Sequence, residues 1–206
     1  ITANNQNYTF DAVLYATGRR PNTTNIGLEN TDITTNERSS IIVNDTCESS
    51  VPGVYAVGDV NGGPQFTYIS LDDFRIVFGA LTGNGNYTLK DRKNIPYTTF
   101  LTPPLARVGL TEQEAINKGY TVKTKELLVA TMPRAHVNDN LKGAFKIVVD
   151  AKNNLILGAT LYAQSAEELI NLIKMAMDNN IPYTYFKNQI FTHPTMAENL
   201  NDLCNF

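Results

Sequence analysis

Tryptophan is absent from the chain, and cysteine and histidine occur only twice each among 206 residues. Cys47 and Cys204 lie far apart and form neither a CxxC nor any metal-ligand spacing, a usage that suits a reducing, cytoplasmic compartment. Charge of one sign is also scarce as a block: 17 basic residues against 20 acidic ones leave a net charge of -3. That balance argues against nucleic acid or an anionic membrane as the main partner. No apolar run approaches the length of a membrane span, and the start lacks a basic-then-apolar signal segment. No GxGxxG-type fingerprint, internal repeat or low-complexity tract is present. What remains is 42% hydrophobic and 18% charged, enough for one substantial core or two smaller ones. The abundant asparagines, gathered in polar stretches, read as compositional bias.

The chain opens on Ile1, and residues 1–10 read as the end of one strand, a turn and the next strand. The expectation is a C-terminal fragment cut through a sheet. Phe10–Ala16 is a short apolar run stopped by Thr17-Gly18, suited to a strand buried on both faces; Ile41–Val43 and Val54–Val57 read as further strands. From Thr67 to about Leu81, Ile69, Phe74, Val77 and Leu81 suggest a helical face, with Gly83 as its stop. The polar stretch Gly83–Pro96 separates two predicted domains, 1–90 and 91–206.

Beyond it the pattern is α+β. Residues 98–110 are strand-like but broken by Pro103-Pro104, and Thr111 to Glu114 form a capping box opening a short helix that ends at Gly119. Strands are predicted at about 120–129, 144–150 and 155–163, the last two joined as an antiparallel hairpin through Asp150–Asn154. Ser165 to Glu168 should cap a helix to about Asp178; a short helix near 183–188 and a terminal one from Thr195 complete the chain. Met175 and Met177 fall on the long helix and read as core rather than metal ligands.

The chemistry concentrates near the C-terminus, in Phe191-Thr192-His193-Pro194-Thr195-Met196-Ala197-Glu198. An imidazole held by a carboxylate keeps one tautomer and suits general acid/base work near neutral pH. Thr195 to Glu198 is also a capping box, in which Glu198 would merely reach back to the Thr195 N–H. The residues alone leave both roles open. His136 shows no partner pattern and reads as a surface residue. Upstream, Gly53-Val54-Tyr55-Ala56-Val57-Gly58-Asp59 ends a strand on Gly-Asp. The glycine permits close backbone approach to a ligand and the aspartate can accept from sugar hydroxyls, although Gly-Asp also serves ordinary turns. Gln65-Phe66-Thr67 then opens a helix whose N–H groups suit electron-rich oxygens. Ala16-Thr17-Gly18-Arg19-Arg20-Pro21-Asn22, taken alone, is a strand and turn with solvated arginines.

Ala16 to Asn22, then Gly53 to Asp59, then His193-Pro194-Thr195 with Glu198, in this chain order and spacing, resemble the flavoprotein pyridine nucleotide-disulfide oxidoreductases, which include glutathione, dihydrolipoamide and mercuric reductases. The likeness covers essentially the whole chain, and residues 65–77 look similar to the bacterial branch linked to resistance against reactive chlorine and hypothiocyanous acid. The resemblance implies a partial α/β FAD/NAD(P)-binding domain followed by an α+β dimerisation domain, an antiparallel sheet with helices. It implies that Asp59 binds the ribityl chain of FAD, that Gly58 also belongs to the cofactor site, and that Gln65, Phe66 and Thr67 lie beside the flavin. It further implies a homodimer in which His193, oriented by Glu198 and followed by a cis proline, serves the partner's active site. Small-molecule oxidants or disulfides would be the substrates, and FAD and NAD(P)H the cofactors of the intact enzyme.

The departures matter. The family's redox pair, two cysteines separated by four residues, is missing, and neither Cys47 nor Cys204 can replace it. A fragment lacking that pair and the glycine fingerprint should bind neither cofactor tightly and should not turn over. One alternative is a dimerisation module inactive alone; a single-cysteine NADH oxidase or peroxidase of the same fold is a further alternative, disfavoured by His193-Pro194-Thr195.

Overall fold

In the computed structural model, which describes residues 1–206, the chain divides into two units, Ile1–Asp91 and Arg92–Phe206. The first unit opens with a small antiparallel hairpin, β1 (Thr2–Ala3) and β2 (Gln6–Asn7). Its turn is Asn4-Asn5, both at positive φ (52° and 60°), which asparagine tolerates better than most residues. The runs 10–16, 41–43 and 54–57 do not form the expected strands: 10–16 joins no ladder, and the other two contribute only the isolated bridges Thr35–Ile41 and Glu48–Tyr55. A strand exists through its neighbours, and in this unit Leu14 and Tyr15 remain 89% and 85% exposed. Side-chain turns hold the backbone instead. The Asn36 Oδ1 accepts from the N–H groups of Arg38 and Ser40, and the Asn44 Oδ1 from those of Thr46 and Glu48. Asn36 and Asn44 are therefore structural closures.

Helix α1 (Thr67–Thr82) ends at Gly83, whose φ of 68° lets its N–H reach the Gly79 carbonyl. Its buried stripe is Ile69, Asp73 and Ile76, spaced as one face of a 3.6-residue helix. Phe74 and Leu81, assigned to that face from sequence, lie outside the stripe and are exposed.

The second unit is built on five antiparallel strands: β3 (Tyr97–Thr99), β4 (Leu105–Gly109), β5 (Val122–Leu128), β6 (Ala144–Asp150) and β7 (Ile156–Tyr162), in the order β3-β4-β7-β6-β5. Helices α2 (Glu112–Asn117), α3 (Pro133–Val137), α4 (Ala166–Asp178), α5 (Tyr183–Asn188) and α6 (Asn199–Leu203) complete it. One sheet face is apolar through alternation: Ala106 and Val108 on β4, Phe145, Ile147 and Val149 on β6, and Ala159 and Leu161 on β7. Ile170, Ile173 and Ala176 of α4 and Leu200 and Leu203 of α6 belong to the same core. Gly109 pairs with Gly158, and a Cβ on Gly109 would sit 2.3 Å from the Leu157 carbonyl oxygen. That close approach lets the Leu110 N–H donate to the same carbonyl at 2.8 Å.

Local signals mostly hold here. Thr111 and Glu114 form the complete capping box of α2, and the Thr111 N–H and hydroxyl hold the Glu114 carboxyl below its usual range. Two expectations fail. Ser165 makes no side-chain cap on α4, because its backbone is left-handed (φ 65°) where a capping residue needs extended geometry. The last helix starts at Asn199, not Thr195, because residues 195–198 close a separate turn through the Thr195 and Glu198 side chains. His136 is exposed, as expected of a surface residue, and lies on α3 with Nε2 2.8 Å from the Ala130 carbonyl oxygen. Met175 is exposed, while Met177 packs against the core.

Candidate active site

The peptide bond between His193 and Pro194 is cis, and the His193 Nδ1 stands 2.7 Å from the Glu198 Oε2. An ionised carboxylate can only accept, so the pair places the proton on Nδ1 and leaves a lone pair on Nε2. The ring side chain is 69% exposed and the carboxylate 17%. One partner is therefore fixed within the protein while the other faces outward. The second carboxylate oxygen, Oε1, accepts from the Thr195 N–H at 3.2 Å, and the Thr195 hydroxyl accepts from the Glu198 N–H at 3.2 Å. The capping box and the imidazole contact coexist, each using its own oxygen.

The upstream residues gather in the first unit. Gly58, Asp59, Gln65, Phe66 and Thr67 line an open depression of about 480 Å³ together with Arg19, Val57 and Ser70. Gly58 has a φ of 74°, and a Cβ there would sit 2.6 Å from the Ser70 Oγ. Asp59 forms an ion pair with Arg19 at 3.3 Å, and both groups are exposed enough for it to contribute about 0–1 kcal/mol. No side chain caps the start of α1. The turn is clamped by Asp73, fully buried on α1, whose Oδ2 accepts from the Gly58 N–H at 2.7 Å and the Asn61 Nδ2 at 2.9 Å. Asp73 and Arg19 are contributors that motif reading passed over. An acid on an amphipathic helix reads as solvated, whereas Arg19 was visible in its motif but carried no signal of a partner.

Cys47 and Cys204 are both buried. Burial pushes the Cys204 thiol up to about 12, far from the thiolate form that reactive cysteines use. No cluster of three or more His, Cys, Asp or Glu side chains is placed to hold a metal ion. No helix is long and apolar enough to cross a membrane.

An antiparallel five-stranded sheet carrying an exposed, carboxylate-held histidine, preceded by a Gly-Asp turn at a helix start, defines a class that the family comparisons identify. Residues 95–204 match the pyridine nucleotide-disulphide oxidoreductase dimerisation domain and residues 1–73 the pyridine nucleotide-disulphide oxidoreductase domain. The chain belongs to the pyridine nucleotide-disulphide oxidoreductase family. It is 48% identical over 193 residues to RclA of Escherichia coli (strain K12), a probable pyridine nucleotide-disulfide oxidoreductase, covering 94% of this chain and 44% of that protein. It is 36% identical over 190 residues to a mercuric reductase of Staphylococcus aureus, covering 92% of this chain and 35% of that protein. The structure of the HOCl-induced flavoprotein disulfide reductase RclA from Escherichia coli superposes with a TM-score of 0.89 at 46% identity, over 92% of this chain and 43% of that one. The chain thus spans less than half the length of these relatives.

Proposed function

We propose that this chain forms part of an FAD-dependent NAD(P)H:disulfide oxidoreductase, supplying flavin-side contacts, the homodimer interface and the His193–Glu198 acid/base pair. The observation that carries this reading is the exposed imidazole with Nδ1 committed to Glu198 and Nε2 directed to whatever approaches from outside. The residues around Gly58 fit a flavin nucleotide: the missing Cβ keeps the depression open, Asp59 can accept from ribityl hydroxyls, and the uncapped start of α1 offers N–H donors to ring oxygens. When bound, FAD would supply the electrons that reduce a disulfide.

The protein's own share is proton handling. A thiol must lose its proton to become the attacking thiolate and regain it afterwards. His193 Nε2 takes that proton and returns it, while Glu198 faces the positive charge that appears on the ring. Gln65, Phe66 and Thr67 border the depression on the side of the α1 start, where they would lie beside the flavin. The redox cysteines must come from outside this sequence, since Cys47 and Cys204 are both buried. In this reading the substrate is a small-molecule oxidant or disulfide and the location is cytoplasmic; the relatives named as an HOCl-induced disulfide reductase and as a mercuric reductase support a thiol-based redox chemistry.

Complementation tests the reading in polypeptides that join this chain to the family's redox-active cysteine pair. His193→Ala subunits and subunits lacking the cysteines should each be inactive alone, each losing about 100-fold or more in thiol turnover. Mixing them should restore activity, because each hybrid dimer then holds one complete site. Full activity of His193→Ala alone, or hybrids that stay dead, would overturn the reading.

A further inference from the structure

Both flanks of the segment carrying His193 are tied to one short helix by asparagine side chains. We propose that Asn201, assisted by Asn199, is a positioning residue that sets the direction of the His193 Nε2. This inference rests on the reading of His193 as the proton carrier. The Asn201 Nδ2 lies 2.5 Å from the Phe186 carbonyl oxygen, 3.0 Å from that of Gln189 and 3.3 Å from that of Lys187. Those carbonyls end α5 and cap it, where a helix leaves its acceptors without internal partners. On the other flank, the buried Asn199 donates from Nδ2 to the carbonyls of Thr195 at 3.2 Å and Met196 at 3.1 Å.

Residues 190–194 hang between these anchors. Ile190 is 95% exposed, so packing does little to fix the entry to the loop. Asparagine is a poor helix residue, because its amide competes for backbone groups in other conformations. Two of them in the five residues of α6 weaken that helix, and the gain appears outside it, on the loop. Leu200 and Leu203 of the same helix are fully buried. The chain of support runs from the hydrophobic core to α6, from α6 through Asn201, Asn199 and Glu198 to the loop, and from the loop to the ring. A side chain that merely stabilised the fold would protect the whole unit evenly, whereas a positioning side chain acts on the segment it holds.

Asn201→Asp keeps the shape of the side chain and removes both N–H donors. Amide hydrogen exchange read by peptide, with the imidazole Cε1–H signals read by NMR, separates the two roles; with two histidines in the chain each ring is assigned directly. Exchange across residues 189–195 is expected to rise about tenfold or more, with the His193 signals shifted. Strands β6 and β7 should keep their protection and the His136 signals should stay in place. Unchanged exchange and unchanged His193 signals would overturn the proposal, and so would an even loss of protection across the whole second unit. Asn201→Ser, a smaller change that also removes the amide, is read by the same criteria if the aspartate variant fails to fold. Neither readout involves turnover, so a failure here is distinct from a failure of the hybrid-dimer assay.

Discussion

The two units solve the problem of holding a backbone in opposite ways. Arg92–Phe206 closes its own core: the whole contiguous cluster of buried apolar residues, from Ala106 to Cys204, lies within it. Ile1–Asp91 buries few apolar side chains, among them Ile41, Ala56, Ile69 and Ile76. It relies on Asx turns, on one buried aspartate, and on a helix whose Tyr68, Phe74, Phe78 and Leu81 stand more than half exposed. The lesson is that a folded segment need not be a self-sufficient one. Turn hydrogen bonds can fix a path through space, but each contributes about 0.5–1.5 kcal/mol net, whereas a filled core sums many contacts of similar size.

That contrast can be broken most strongly at Phe145, a fully buried side chain on β6, paired with Leu161 of the central strand β7. Phe145→Ala should cost about 3–5 kcal/mol of the second unit's stability, read by denaturant titration. A loss below about 1 kcal/mol would show that the cluster is not the source of that stability. A smaller effect is expected in the first unit at Asp73. Asp73→Ala leaves the Gly58 N–H without its acceptor, an expected cost of about 1–3 kcal/mol, with faster amide exchange confined to residues 56–63. Protection unchanged there would mean that the turn does not depend on α1.

The smallest effect is invisible at neutral pH and sharpens the comparison at alkaline pH. The ordinary thiol value is 9.0, and burial raises that of Cys204 to about 12. An acid whose folded value is raised contributes stability that is intact below pH 9.0 and lost as pH rises towards about 12. Thermal melts of wild type and Cys204→Ala should therefore converge across that window, the wild type losing more. Parallel pH profiles would sink the assignment, while the Asn44 and Asn36 turns of the first unit, which carry no titrating group at those oxygens, should show no such dependence.

Legibility followed the same divide. Strands β5, β6 and β7 were readable because each alternates or forms an apolar run beside a turn, and each finds a partner within the chain. The box at Thr111 was readable because it is local, closing over three residues. The run 10–16 carries the same apolar signal as β6, yet forms no ladder, since apolar character reports a wish for burial and not the presence of a neighbour. Within the candidate site, His193 and Glu198 were visible through spacing. Asn201 was not: its amide meets carbonyls 12 to 15 residues earlier, a relation with no periodicity and no local signature. Asp73 escaped for a related reason, as its partners lie across a loop 12 and 15 positions upstream.

Glu198 divides its two oxygens between an imidazole and a backbone amide. The shape of the turn and the aim of the ring consequently stand or fall as a unit. A lineage that keeps the loop's architecture keeps the ring's orientation with it, and one that discards the acid removes both contacts in a single step.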